Sequence, residues 1–116
     1  MNKITLTVAM FAMLAAARAH ADCPVPDSAV LIPDGNTATR DEMIAAQKAI
    51  KTFDAAVKAY ADCMQQEEDA KVAAGADKAK TNAQYAKLTN AQVDKLQAIA
   101  DKFNIELRAF KAKNTG

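Results

Sequence analysis

The sequence predicts an all-α fold: an antiparallel, coiled-coil-like helical hairpin with an extended N-terminal arm pinned to it by one disulfide. Three observations lead there. Two long segments carry apolar residues at alternating steps of three and four, all three prolines precede the first of them, and the only cysteines are Cys23 and Cys63. At 116 residues the chain holds one small domain at most. Lysine plus arginine (15) nearly balance aspartate plus glutamate (14). That balance provides no general attraction for nucleic acid or anionic lipid, and neither is expected as a partner.

Residues 1–21 read as a cleaved export signal. Lys3 gives a positive start, Ile4 to Ala17 form an uncharged apolar run, and Ala19-His20-Ala21 offers the small-x-small pattern of a signal-peptidase site. The run is too short to span a bilayer, which needs about 20 apolar residues, and Arg18 follows it directly. Cleavage after Ala21 is expected, with Ala19 as the alternative, and no stable membrane anchor remains afterwards. Asp22 and His20 occupy the places where a lipidation signal would carry a small residue and a leucine, so Cys23 is not read as a lipid site. The expected location is the bacterial periplasm or cell exterior. Loss of Lys3 and Arg18 leaves 13 basic against 14 acidic residues.

The arm, 22–38, follows. Pro24, Pro26 and Pro33 break helix and favour extended backbone. Pro33-Asp34-Gly35 is a turn signal in which proline presets φ, aspartate bonds the following backbone and glycine tolerates positive φ. The hairpin occupies 39–113. Thr39 and Glu42 form a capping box, and Asp41 with Glu42 suits the positive helix end, so the first helix starts near Arg40. Its seam is Met43, Ala46, Ile50, Phe53, Val57, Tyr60 and Met64. Lys48, Lys51, Asp54, Lys58 and Asp62 fall on the remaining surface, with Asp54 and Lys58 at i,i+4 spacing. Gly75 marks the end of this helix at about Ala73.

A turn is expected over about 74–81 and a second helix over about 82–112. Val93, Leu96, Ala100, Phe103, Leu107 and Phe110 form its seam, with Tyr85 and Leu88 extending it backwards. Arg108, Lys111 and Lys113 complement its negative end. Thr-Asn-Ala-Gln occurs at 81–84 and again at 89–92, and both copies can be capping boxes. The helix is therefore either continuous or kinked near Thr89; seam length favours continuity. Folding the helices back at residue 77 sets Met64 near Asn90 and Met43 near Lys111.

In an oxidising compartment Cys23 and Cys63 have one intramolecular pairing, with intermolecular bridging or free thiols as the alternatives. An extended arm is long enough to run back alongside the helices to Cys63. Val30, Leu31 and Ile32 would then cover the open side of the seam, and Tyr60 would pack near the bridge. Two helices alone make a thin core, which the arm, the bridge or a second copy forming a four-helix bundle would complete.

No chemistry-bearing motif emerges. The only histidine, His20, lies in the leader, which removes histidine acid–base catalysis, serine triads and His-containing zinc sites from the processed chain. No catalytic, cofactor or metal residue is assigned, and the chain is not expected to be an enzyme. Glu67-Glu68 and Asp41-Glu42 read as solvated helix faces, and Met43 and Met64 as core. A site for a small hydrophobic ligand between the helices stays open as an alternative, though no residue pattern requires one and a filled seam argues against it.

Two resemblances add to this reading. Cys23-Pro24, Ile32-Pro33-Asp34-Gly35, Met43, Tyr60-Ala61-Asp62-Cys63 and the run from Ala100 to Lys111 resemble a pattern of small, functionally uncharacterised exported helical proteins of proteobacteria. That resemblance spans nearly all of 22–113 and implies export and architecture without an activity. Leu88-Thr89-Asn90-Ala91-Gln92 is similar to the Leu-Thr-x-x-Gln motif of the Spy and CpxP type of periplasmic stress chaperone. Such proteins are all-helical, ATP-independent holdases acting as cradle-shaped dimers, and the likeness implies a helix start at Thr89 with Leu88 and Val93 as its hydrophobic staple. The expected function is a non-enzymatic helical interaction or structural module, with a holdase as the alternative.

Overall fold

A computed structural model describes residues 23–115; the expected leader, 1–21, lies outside them. Two helices follow the arm, α1 (Arg40–Ala73) and α2 (Lys78–Asn114), packed antiparallel on each other. The all-α hairpin with a disulfide-pinned arm is the observed architecture. Among the described residues no helix is long and apolar enough to cross a membrane.

The start of α1 is the expected capping box. The Glu42 N–H donates to Thr39 Oγ1 (3.2 Å) while the Thr39 N–H donates to Glu42 Oε2 (2.7 Å). The helix ends in a Schellman motif: the Gly75 N–H donates to the Val72 carbonyl and the Ala76 N–H to the Lys71 carbonyl, both at 3.0 Å. Gly75 takes φ 102°, open to it because it lacks a Cβ. On the outer surface Lys58 Nζ meets Asp54 Oδ2 at 2.7 Å, the expected i,i+4 pair.

The turn is tighter than the sequence suggested. Asp77, not a residue of either Thr-Asn-Ala-Gln repeat, is the N-cap of α2, its Oδ1 accepting from the Lys80 N–H at 2.8 Å. The second helix therefore begins four residues earlier than expected and runs unbroken through Thr89 to Asn114. Thr89 caps nothing, because its backbone already lies inside a helix that started at Lys78. The fold-back point moves from residue 77 to Gly75, and Asn82 bonds Glu68 across it. Met64 consequently packs in one cluster with Tyr60 and Tyr85 instead of near Asn90. A second cluster holds Ala38, Met43, Ala46 and Phe103, with Ile32, Ile50, Leu107 and Phe110 against it.

Every expected seam residue of α1 is buried except Ile50, which is half-buried. In α2 Thr81, Tyr85, Gln92 and Phe103 are buried, and Thr89 with the expected seam residues Leu96, Ala100, Leu107 and Phe110 is half-buried on the same side. Val93 and Leu88, expected inside, are 44% and 50% exposed. Because α2 is unbroken, the side that carries Thr81 and Tyr85 inward continues as one face along the helix. Following that face at steps of four and three reaches Gln92 and leaves Val93 outside.

The arm lies back along the hairpin as an extended chain. Its residues alternate as an extended backbone requires. Pro26 is buried and Ser28, Val30 and Ile32 are half-buried, whereas Val25, Asp27, Ala29 and Leu31 are exposed. Leu31, expected to cover the seam, is 85% exposed because its two neighbours take the inward positions. At polyproline rise the segment from Cys23 to Gly35 spans about 37 Å, close to the roughly 32 Å from Tyr85 to Glu106 along α2.

Candidate functional site

Two sequence-expected residues meet at the upper end of the arm. Cys23 and Cys63 form a disulfide with a Cα–Cα separation of 5.7 Å. Cys23 packs against the cluster of Tyr60, Met64 and Tyr85, so the expected placement of Tyr60 near the bridge is observed. Met43 and Met64 lie in separate core clusters.

Beside the bridge lies a groove of about 650 Å³, open on one side to solvent, that the sequence did not anticipate. Each wall comes from a different element. The arm contributes Cys23 and Val25, α1 contributes Tyr60, Met64, Glu67 and Lys71, and α2 contributes Gln84, Tyr85, Lys87 and Leu88. The floor is the buried trio Tyr60, Met64 and Tyr85, while Val25 (65% exposed) and Leu88 stand at the rim. Along the groove the arm is held at Cys23, which packs on the buried trio, and at the buried Pro26, with Pro24 and Val25 exposed between them.

Polar groups at one end of the groove are ordered. Tyr85 Oη donates to Glu67 Oε2 at 3.3 Å, and Lys71 Nζ sits 5.1 Å from the centre of the Tyr85 ring, a cation–π distance. The Tyr85 phenol, first as a hydrogen-bond partner and then through charge, raises the Lys71 ammonium above its ordinary pKa; the Glu67 carboxylate adds a smaller pull in the same direction. Glu68 is buried and accepts from Asn82 Nδ2 at 2.9 Å. The Glu67-Glu68 pair is thus not the solvated face expected of it. Folding at Gly75 turns both residues toward α2, where Tyr85 and Asn82 meet them one each. Asp41 and Glu42 do what helix-start acids do, Glu42 as the capping-box partner and Asp41 in the first turn.

A shallow apolar groove with one ordered ionic end can hold an apolar side chain or short apolar segment and orient it by charge. The sequence signal for it was faint. Tyr85 and Leu88 were legible as apolar surface behind the α2 seam, but the arm's path, which alone makes a wall of Val25, was not. Comparison with protein-family models, with curated proteins and with solved structures finds no match to this chain.

Proposed function

We propose that the protein is a non-enzymatic, exported helical interaction module that seats an apolar side chain of a protein partner in the groove beside its disulfide. One observation carries the reading: Val25 and Leu88, large and exposed, frame a floor of Tyr60, Met64 and Tyr85. Exposed apolar residues arranged around a concavity are the usual anchor sites of protein–protein contacts. A bacterial periplasmic or extracellular location is supported by the leader-like residues 1–21 and by a disulfide that persists only in an oxidising compartment. No catalytic role is assigned to any residue.

The test is site-specific photocrosslinking in intact cells. A photoreactive residue at Leu88 should give one discrete adduct, while the same residue at Gln97, exposed on the opposite side of α2 from Leu88, should give none. Equal crosslinking at both positions, or none at Leu88, overturns the reading.

The alternative, an ATP-independent holdase of the Spy and CpxP type, is favoured by a different observation. Leu31 and Ile105 are exposed well away from the groove, at 85% and 55%. Scattered apolar contacts suit a client-tolerant surface. A holdase suppresses aggregation of an unrelated unfolding protein at near-stoichiometric amounts; a dedicated module does not.

A further inference from the structure

Cys63 and Glu67 stand one turn apart on α1, and the arm delivers Cys23 to the same place. Both Sγ atoms and a Glu67 carboxylate oxygen lie within 4.8 Å of one another, all three on half-buried residues. We propose that, in the dithiol form of the chain, Cys23, Cys63 and Glu67 bind one divalent cation of the zinc class. This inference is independent of the partner-binding reading. It concerns the state of the chain before its cysteines are oxidised, or after a dithiol has reduced them.

The chemistry selects the metal. Two thiolates and one carboxylate form a mixed soft and hard donor set that suits zinc, and excludes calcium and magnesium, which take oxygen ligands only. Two thiolates on tetrahedral zinc, each about 2.3 Å from the ion, stand about 3.7 Å apart. With the Cα atoms held at 5.7 Å, rotation about the two cysteine χ1 bonds opens the sulfurs to that distance without moving the backbone. The third ligand is already oriented. Tyr85 Oη donates to Glu67 Oε2 at 3.3 Å, the kind of outer-shell hydrogen bond that orients a ligating carboxylate. Cys23 and Glu67 both line the open groove, so water can supply the fourth ligand and the ion has an entry path.

The steps balance. A small dithiol reduces the Cys23–Cys63 bond by exchange, giving two protein thiols and its own cyclic disulfide. Binding of the aquo ion then releases two protons, one from each thiol. The disulfide and the metal are mutually exclusive occupants of one position, and either ties the arm to α1.

Cobalt(II) serves as the visible probe, with the chain expressed with its own leader, purified oxidised, and then reduced with a phosphine under argon. The reduced chain should take up one equivalent, showing the absorption envelope of a tetrahedral site with sulfur-to-metal charge transfer, and zinc should bleach it. The oxidised chain should show neither feature. Glu67→Ala should weaken binding by about tenfold or more, since removal of even an outer-shell partner costs that much. Asp62→Ala, on the exposed side of α1, should bind as the parent does. Helicity is followed in the same samples; a chain that loses helix on reduction should regain it with zinc. Absence of the bands, an unchanged affinity in Glu67→Ala, an equal loss in Asp62→Ala, or helicity that zinc fails to restore would each overturn the site.

Discussion

The Gly35 N–H donates to Glu106 Oε2 at 2.7 Å across 71 residues of sequence, and this bond fixes the point where the arm turns into α1. Asp34 shapes the turn, its Oδ1 accepting from the Asn36 N–H at 2.8 Å and its carbonyl from the Ala38 N–H at 2.8 Å. Gly35 is not at positive φ, which among the described glycines is confined to Gly75. It is glycine because of proximity: a Cβ there would fall on the Glu106 carbonyl oxygen and lie 2.9 Å from the Phe110 nitrogen.

Gly35→Ala should therefore destabilise the fold by about 1–3 kcal/mol, the range for forced overpacking. Glu106→Ala should cost a comparable amount through loss of a charge-assisted hydrogen bond, about 1.5–3 kcal/mol. Because both changes undock the same turn, urea melts of the double variant should show less than the sum of the two losses. Strict additivity would mean that the contact does not hold the arm.

Cys63→Ser frees the other end of the arm. The bridge closes a ring with a sequence separation of 40, for which chain entropy suggests about 4 kcal/mol of stabilisation. The melting temperature of the variant should fall well below that of the oxidised protein and match that of the reduced one in the presence of a chelator. Amide exchange should quicken first at Val25 to Ile32, where no helix protects the backbone. Identical melting of the oxidised and reduced proteins would remove the clamp from the account.

What the sequence revealed and what it concealed follow one division. Features encoded within a few residues were legible: the Thr39 and Glu42 box, the Gly75 stop, and the α1 seam down to Phe53 and Val57. Register was not, because it depends on the length of the turn. Asp77 capping α2 shortened that turn and shifted the cross-helix neighbours, so that Met64 meets Tyr85 and not Asn90. The bridge was legible as a pairing, since only one pairing exists. The groove and the Cys23, Cys63 and Glu67 triad were not, since both require the arm's route, which no local pattern specifies.

Lys71 gives a prediction about pH. Its folded pKa is raised above the ordinary 10.5 chiefly by the Tyr85 phenol. A raised folded value means that the contact stabilises fully below the unfolded pKa and is lost as pH climbs through the folded one. The contact is thus constant through the neutral range and fades only in strong alkali. Tyr85→Leu should return the Lys71 pKa toward its ordinary value, read from side-chain NMR shifts. A pKa that stays raised in that variant would assign the effect to Glu67 instead.

Gln92 sits in the seam where a coiled-coil pattern would place an apolar residue. It is 7% exposed, and its Oε1 has no hydrogen-bond partner among the described residues. An unpaired buried acceptor costs about 1–3 kcal/mol in lost solvation. Gln92→Leu, similar in volume and without that atom, should raise the melting temperature. The gain has a counterpart, because a polar residue inside a seam penalises pairings that would bury it against the wrong neighbours. With α1 carrying a long, regular apolar stripe and α2 a shorter one from Leu96 to Phe110, slid registers and exchange of helices between two copies are the competing states. Gln92→Leu should therefore melt higher yet show more dimer in sedimentation at high concentration, and Gln92→Glu should do the reverse on both measures. A leucine variant that melts lower than the parent would show that this amide is satisfied in solution, and that it contributes stability to the seam.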